Sequence, residues 1–128
     1  MFTITNFLLI GIASAFGAWI RWLIGYLCHY LYPGIPFGTL AVNLLGGFLI
    51  GCSIAYFQSL SYINEELKII INIGFLGGLT TFSAFTADLF HLFGKDQQVM
   101  AIFLMLGNVF GSLTLAFLGW HLLNFILK

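Results

Sequence analysis

Two asparagines and a row of hydroxyls carry the polar chemistry of an otherwise apolar chain. Thr39 and Asn43 stand four residues apart, as do Asn108 and Ser112, and residues at that spacing share one face of a helix. A third group, Thr80, Thr81, Ser83 and Thr86, lies in and just beyond the stretch GFLGGLTTFSAF, where it follows Gly74, Gly77 and Gly78 and interleaves with Phe82 and Phe85. Amides and hydroxyls donate hydrogen bonds, and the edge of an aromatic ring is electropositive. Together they suit a small, hard anion that trades its water for neutral donors along a narrow path. The glycines point to a second chemistry. Each disfavours continuous helix by up to about 1 kcal/mol, and the adjoining β-branched Thr80 and Thr81 are stiff at χ1. A break here frees carbonyls around residues 77–80, and unwound carbonyls inside a membrane coordinate cations such as Na⁺. The structural alternative is plainer. Hydroxyls then link helices at about 0.6 kcal/mol each, the glycines allow close crossing, and Phe82 and Phe85 face lipid.

What is missing narrows the chemistry. No carboxylate falls at the centre of an apolar segment: Glu65, Glu66 and Asp96 sit in polar breaks, and Asp88 lies toward the end of the third segment. His29, His91 and His121 all fall near segment ends, without metal-ligand spacing. No Ser/His/Asp or Cys/His set shares one depth. The expectation is therefore no catalysis, and no proton-coupled transport of the kind that needs a central acid. Arg21 is the one cation well inside a segment, flanked by Trp19 and Trp22. It reads either as an interfacial anchor that snorkels outward or as a lure at the mouth of an anion path.

The elements that must position these groups follow from composition. Of the 128 residues, 61% are hydrophobic and only 6% charged, whereas soluble domains carry about 25% charged residues. Polar breaks leave four apolar segments at about residues 7–31, 37–60, 67–93 and 99–127. Each has the roughly 20 residues that a spanning helix needs. The short alternating strands of a membrane barrel are absent from the pattern. Residues 1–128 thus form one all-α transmembrane domain, with the third helix broken near its middle. The first segment is read as a span and not as a cleaved leader, because residues 1–6 hold no basic residue. Cys28 and Cys52 differ in depth by about 20 Å, too far for a disulfide.

Orientation is undetermined by charge. Lys68 and Lys128 flank the side that holds the N-terminus, while Arg21 and Lys95 lie toward the other. The positive-inside rule has no imbalance to act on. Insertion in both orientations, with opposed copies pairing, is one outcome; a partner that fixes one orientation is the other. Small-residue pairs on three helices, Gly47/Gly51, Gly107/Gly111 and Ala13/Gly17, favour close helix contact, either between copies or inside one bundle. A zero net charge gives no reason to expect nucleic acid; the surrounding partner is membrane lipid.

The stretches Gly38-Thr39-Leu40-Ala41-Val42-Asn43 and Gly74 to Phe85 closely resemble signatures of the Fluc (CrcB) fluoride channels. Gly17-Ala18-Trp19-Ile20-Arg21-Trp22 is similar to that family's helix 1 motif. The resemblance implies an antiparallel, dual-topology homodimer with two fluoride pores in a cell inner membrane. It implies Phe82 and Phe85 as the paired rings lining each pore, Asn43 as the amide donor facing them, and Thr81 and Ser83 in the polar lining. It further implies a structural Na⁺ at the dimer centre on the backbone carbonyls of Gly77 and Thr80, and Arg21 near the aqueous vestibule. Helix 4 departs from the family's ladder of Tyr, Ser, Ser and Thr, having Leu104, Asn108, Ser112 and Ala116. Asn108 and Ser112 are the rungs expected to act; Asp88 stands where a Glu is common. Passive fluoride export is the expected function. A small dual-topology multidrug/proton antiporter is the alternative, and a subunit of a larger membrane complex a third reading.

Overall fold

A computed structural model describes residues 2–128 as four helices: α1 (Ile4–Leu31), α2 (Phe37–Ser59), α3 (Glu65–Gly94) and α4 (Gln98–Ile126). All four are long and apolar enough to cross a membrane, and the described residues contain no strand. The ends are set locally. Thr3 caps α1 through a hydroxyl that accepts from the Asn6 amide at 3.1 Å, and Asn64 caps α3 by accepting from Leu67 at 3.0 Å. Such caps satisfy donors that a helix start leaves orphaned. Gly34, at φ 86°, turns the chain between α1 and α2, a conformation that costs glycine little.

Close approach of backbones builds the bundle in two pairs. A methyl group on Gly17 would overlap the carbonyl of Phe75, and one on Gly78 the carbonyl of Ser14, so α1 seats directly on α3. Gly47 and Gly51 likewise meet the backbone of Ser112 and Ala116, seating α2 on α4. Gly107 and Gly111 lie against the side chains of Leu40 and Leu44. The small-residue pairs are therefore used inside one chain, and they no longer argue for an oligomer. Contact of this kind supplies van der Waals packing where lipid offers no hydrophobic contrast.

The third helix changes partners halfway. Its first half contributes Leu76 and Leu79 to a cluster with Val42, against which Ile24 and Ile50 pack. Its second half contributes Leu92 to a separate cluster with Ala101 and Leu104 of α4. Between them Thr80 (φ −86°, ψ 160°) and Thr81 (φ −153°, ψ 125°) are extended, and the helix resumes at Phe82. The break thus sits at Thr80–Thr81, just beyond the glycines. Two π-helical stretches, Ile70–Leu76 and Gly107–Gly111, flank it on α3 and α4. Such wide turns recur at functional sites. Outward, Trp22, Phe90 and Phe125 are exposed, as expected of a surface whose solvent is hydrocarbon.

Candidate functional site

Asn43 reaches from α2 to the break and pairs with one residue of it as a strand would. Its Oδ1 accepts from the Thr81 amide at 2.9 Å, and its Nδ2 donates to the Thr81 carbonyl at 3.0 Å. The other N–H of Nδ2 goes to Asn108 Oδ1 at 2.8 Å, and Asn108 in turn donates to the carbonyl of Leu104 at 2.9 Å. One polar chain therefore ties α4 to α2 to the break. Both donors of Asn43 are given to protein acceptors here.

Thr81 is buried and caps the second half of α3, its Oγ1 accepting from the Ala84 amide at 3.1 Å. The hydroxyl of Ser83, an exposed residue, lies 3.2 Å from that same oxygen. Thr80 turns back, its amide and its hydroxyl both donating to the Leu76 carbonyl at 3.0 and 2.9 Å. The carbonyl of Thr80 accepts from Arg21 Nη1 at 3.4 Å. Arg21 is half-buried and reaches the break. The reason is proximity: α1 seats on α3, and the break offers a carbonyl short of its helical donor.

These groups open onto a groove of about 450 Å³, lined among others by Asn43, Thr80, Phe82, Phe85, Asn108 and Ser112. The rings of Phe82 and Phe85 meet nearly edge to face, with centroids 5.5 Å apart. They differ in depth: Phe85 is 6% exposed and Phe82 76%. Gly77 also lines the groove. Ser112 turns a buried hydroxyl oxygen into this region without a hydrogen-bond partner, and buried polar atoms normally have one. The lining residues include no acid and no base.

Thr39 is not brought to the groove. Its hydroxyl donates to Asp88 Oδ2 at 2.6 Å, and Asp88 lines a separate cavity of about 400 Å³ by the ends of α1 and α3, with His29, His91, Lys95 and Gln97. One turn of helix, from Thr39 to Asn43, separates this charged cavity from the neutral groove.

The chain matches the family model described as CrcB-like protein, Camphor Resistance (CrcB), over residues 8–120. It belongs to the CrcB family. Among curated CrcB relatives, the fluoride-specific ion channel FluC of Aromatoleum aromaticum is 43% identical over 114 residues, covering 89% of this chain and 87% of that protein. The fluoride-specific ion channel FluC of Serratia proteamaculans is 40% identical over 123 residues, covering 96% and 97%. That of Desulfovibrio desulfuricans is 43% identical over 111 residues, covering 87% and 86%.

In this CrcB chain Ser53 and Asn72, outside the expected set of polar residues, also meet beside the groove. The Ser53 hydroxyl donates to Asn72 Oδ1 at 2.6 Å, joining α2 to the π-helical stretch of α3, and Asn72 lines the groove. A signal was available: an asparagine inside an apolar span is costly and needs a reason.

Proposed function

We propose that this chain is a fluoride-selective channel that lowers cytoplasmic fluoride by passive export across a cell inner membrane. The observation that carries the reading is the groove itself, uncharged and lined by two aromatic rings and a residue whose buried hydroxyl has no partner. Relatives named as fluoride-specific channels match nearly the whole chain. A fluoride ion gives up water only for donors of comparable strength held close together. The edges of Phe82 and Phe85 and the hydroxyl of Ser112 are such donors. Thr81, Ser83, Asn43 and Asn108 hold the break around them. A proton-coupled exchanger finds no titratable carrier among the lining residues.

The working unit in this proposal is a pair of copies inserted in opposite orientations. Two features support it: basic residues balance across the membrane, and the groove lies open on a surface where Gly77 and Phe82 are exposed. A second copy closes that surface. The Gly77 and Thr80 carbonyls suit a structural Na⁺ at the centre. The Thr81 amide, which would bond Gly77 in a continuous helix, goes to Asn43, and the Ala84 amide goes to Thr81 Oγ1 in place of the Thr80 carbonyl. Two carbonyls so released are a donor set of the hard type that Na⁺ takes. When bound, the ion supplies positive charge that fixes the two breaks together.

The test is fluoride efflux from liposomes carrying the purified protein. Efflux well above empty vesicles, with chloride retained, is expected. No efflux from verified dimers overturns the reading.

A further inference from the structure

We infer that Asn43 and Thr81 are positioning residues for the cation site: together they hold the carbonyls of Gly77 and Thr80 open. The inference rests on the reading of those carbonyls as a Na⁺ site and assigns what creates it. In an uninterrupted α-helix the amide of residue 81 bonds the carbonyl of residue 77, and the amide of residue 84 bonds that of residue 80. Here each amide has been taken by a side chain. Asn43 Oδ1 holds the Thr81 amide at 2.9 Å, and Thr81 Oγ1 holds the Ala84 amide at 3.1 Å. The two thefts release two carbonyls one helical turn apart.

Glycine alone does not do this. Residues 77–79 are helical despite Gly77 and Gly78, and the chain becomes extended only at Thr80 and Thr81. The backbone leaves the helix where side-chain acceptors compete for its amides, which is how Asn and Thr disrupt helices generally. Asn43 is held for this task. Its Nδ2 grips the Thr81 carbonyl at 3.0 Å and Asn108 Oδ1 at 2.8 Å, so the amide plane cannot turn away from Thr81. Arg21 occupies one side of the Thr80 carbonyl at 3.4 Å, and a carbonyl oxygen has a second lone pair to give.

The two residues act on different carbonyls, so each has its own variant. Asn43→Ala returns the Thr81 amide to Gly77, and Thr81→Val returns the Ala84 amide to Thr80. Thr81→Ser keeps the capping hydroxyl. Asn108→Ala removes the support behind Asn43, and with it the bond from Asn108 to the Leu104 carbonyl, but neither amide acceptor at the break.

The experiment follows thermal unfolding of the purified protein by its tryptophan fluorescence. Na⁺ is titrated against choline at constant ionic strength, and the midpoint of Na⁺ stabilisation is read. Asn43→Ala and Thr81→Val should each raise the Na⁺ midpoint by about tenfold, as expected when one ligand carbonyl is tied up by a hydrogen bond. Thr81→Ser should restore the native midpoint, and Asn108→Ala should move it by about threefold or less. Native midpoints in both Asn43→Ala and Thr81→Val overturn the inference while the cation reading stands. A native protein indifferent to Na⁺ overturns the cation reading and this inference with it. If Asn43→Ala does not fold, Thr81→Val against Thr81→Ser decides: equal midpoints overturn the inference, and a shift reversed by serine supports it.

Discussion

The groove at the helix break and the cavity by the α3–α4 turn, the mouth of the proposed path, are alike in size, at about 450 and 400 Å³, and opposite in chemistry. The mouth holds Asp88, His29, His91 and Lys95. The groove holds amides, hydroxyls and rings. Charge that meets water at such a mouth is screened within about 8–10 Å at ordinary salt. Deeper in the membrane the same charges would bind an ion too firmly to release it, or would carry a large desolvation cost. Neutral donors avoid both problems. The proposed channel would thus place attraction where water is and discrimination where water is excluded, with Thr39, bonded to Asp88, and Asn43, bonded to Thr81, only one helical turn apart at the border.

The most severe way to break that comparison is to remove a groove donor with no substitute nearby. Phe82→Ile keeps an apolar side chain of moderate size on an exposed position, so the fold should survive. It removes the ring edge and the edge-to-face contact with Phe85. A ring contact of this kind contributes about 0.5–1.5 kcal/mol, so a ring edge of similar worth to the passing ion would, when lost, lower fluoride efflux by about two- to tenfold. Efflux from liposomes, with size-exclusion confirming the native oligomer, checks this. An unchanged rate removes Phe82 from the path.

This region was legible in the sequence to an uneven degree. The four spans were readable to within a few residues, because hydrocarbon thickness fixes length and because Pro33, Gly34 and the polar runs interrupt it. Glycines beside threonines marked the break. They placed it at about residues 77–80; that the helix runs on through Leu79 and opens at Thr80–Thr81 was not readable, because the Thr81 amide finds its acceptor, Asn43, on another helix. Nor could the sequence tell that Arg21 reaches the Thr80 carbonyl, which lies on another helix. The pairs Gly47/Gly51 and Gly107/Gly111 had the spacing for contact but not its address, which proved to be the same chain. Periodicity reports which residues share a face; only the fold says what that face meets. The π-helical stretches left no compositional trace at all.

A finer test concerns Ser112. Its buried hydroxyl has no protein partner, so Ser112→Ala removes no hydrogen bond from the fold and should leave thermal stability unchanged. If the hydroxyl serves the ion, efflux falls about fivefold, the equivalent of one neutral hydrogen bond of about 1 kcal/mol. A drop in stability without a drop in efflux would return Ser112 to ordinary packing. The separation of the two readouts makes this variant more informative than its size suggests.

The smallest expected effect lies at the mouth, and its salt dependence matters more than its magnitude. Lys95→Gln removes one exposed cation from a cavity that also holds Asp88, His29 and His91. Attraction of an anion toward this mouth is a long-range Coulomb effect, so the loss should reduce efflux by about twofold at low ionic strength and vanish near 1 M, where the screening length is about 3 Å. Groove variants should show no such salt dependence, because Phe82 and Ser112 act by contact. If Lys95→Gln instead lowers efflux equally at all salt concentrations, the mouth cation contacts the ion directly. The division between screened attraction and neutral discrimination would then fail at its outer edge.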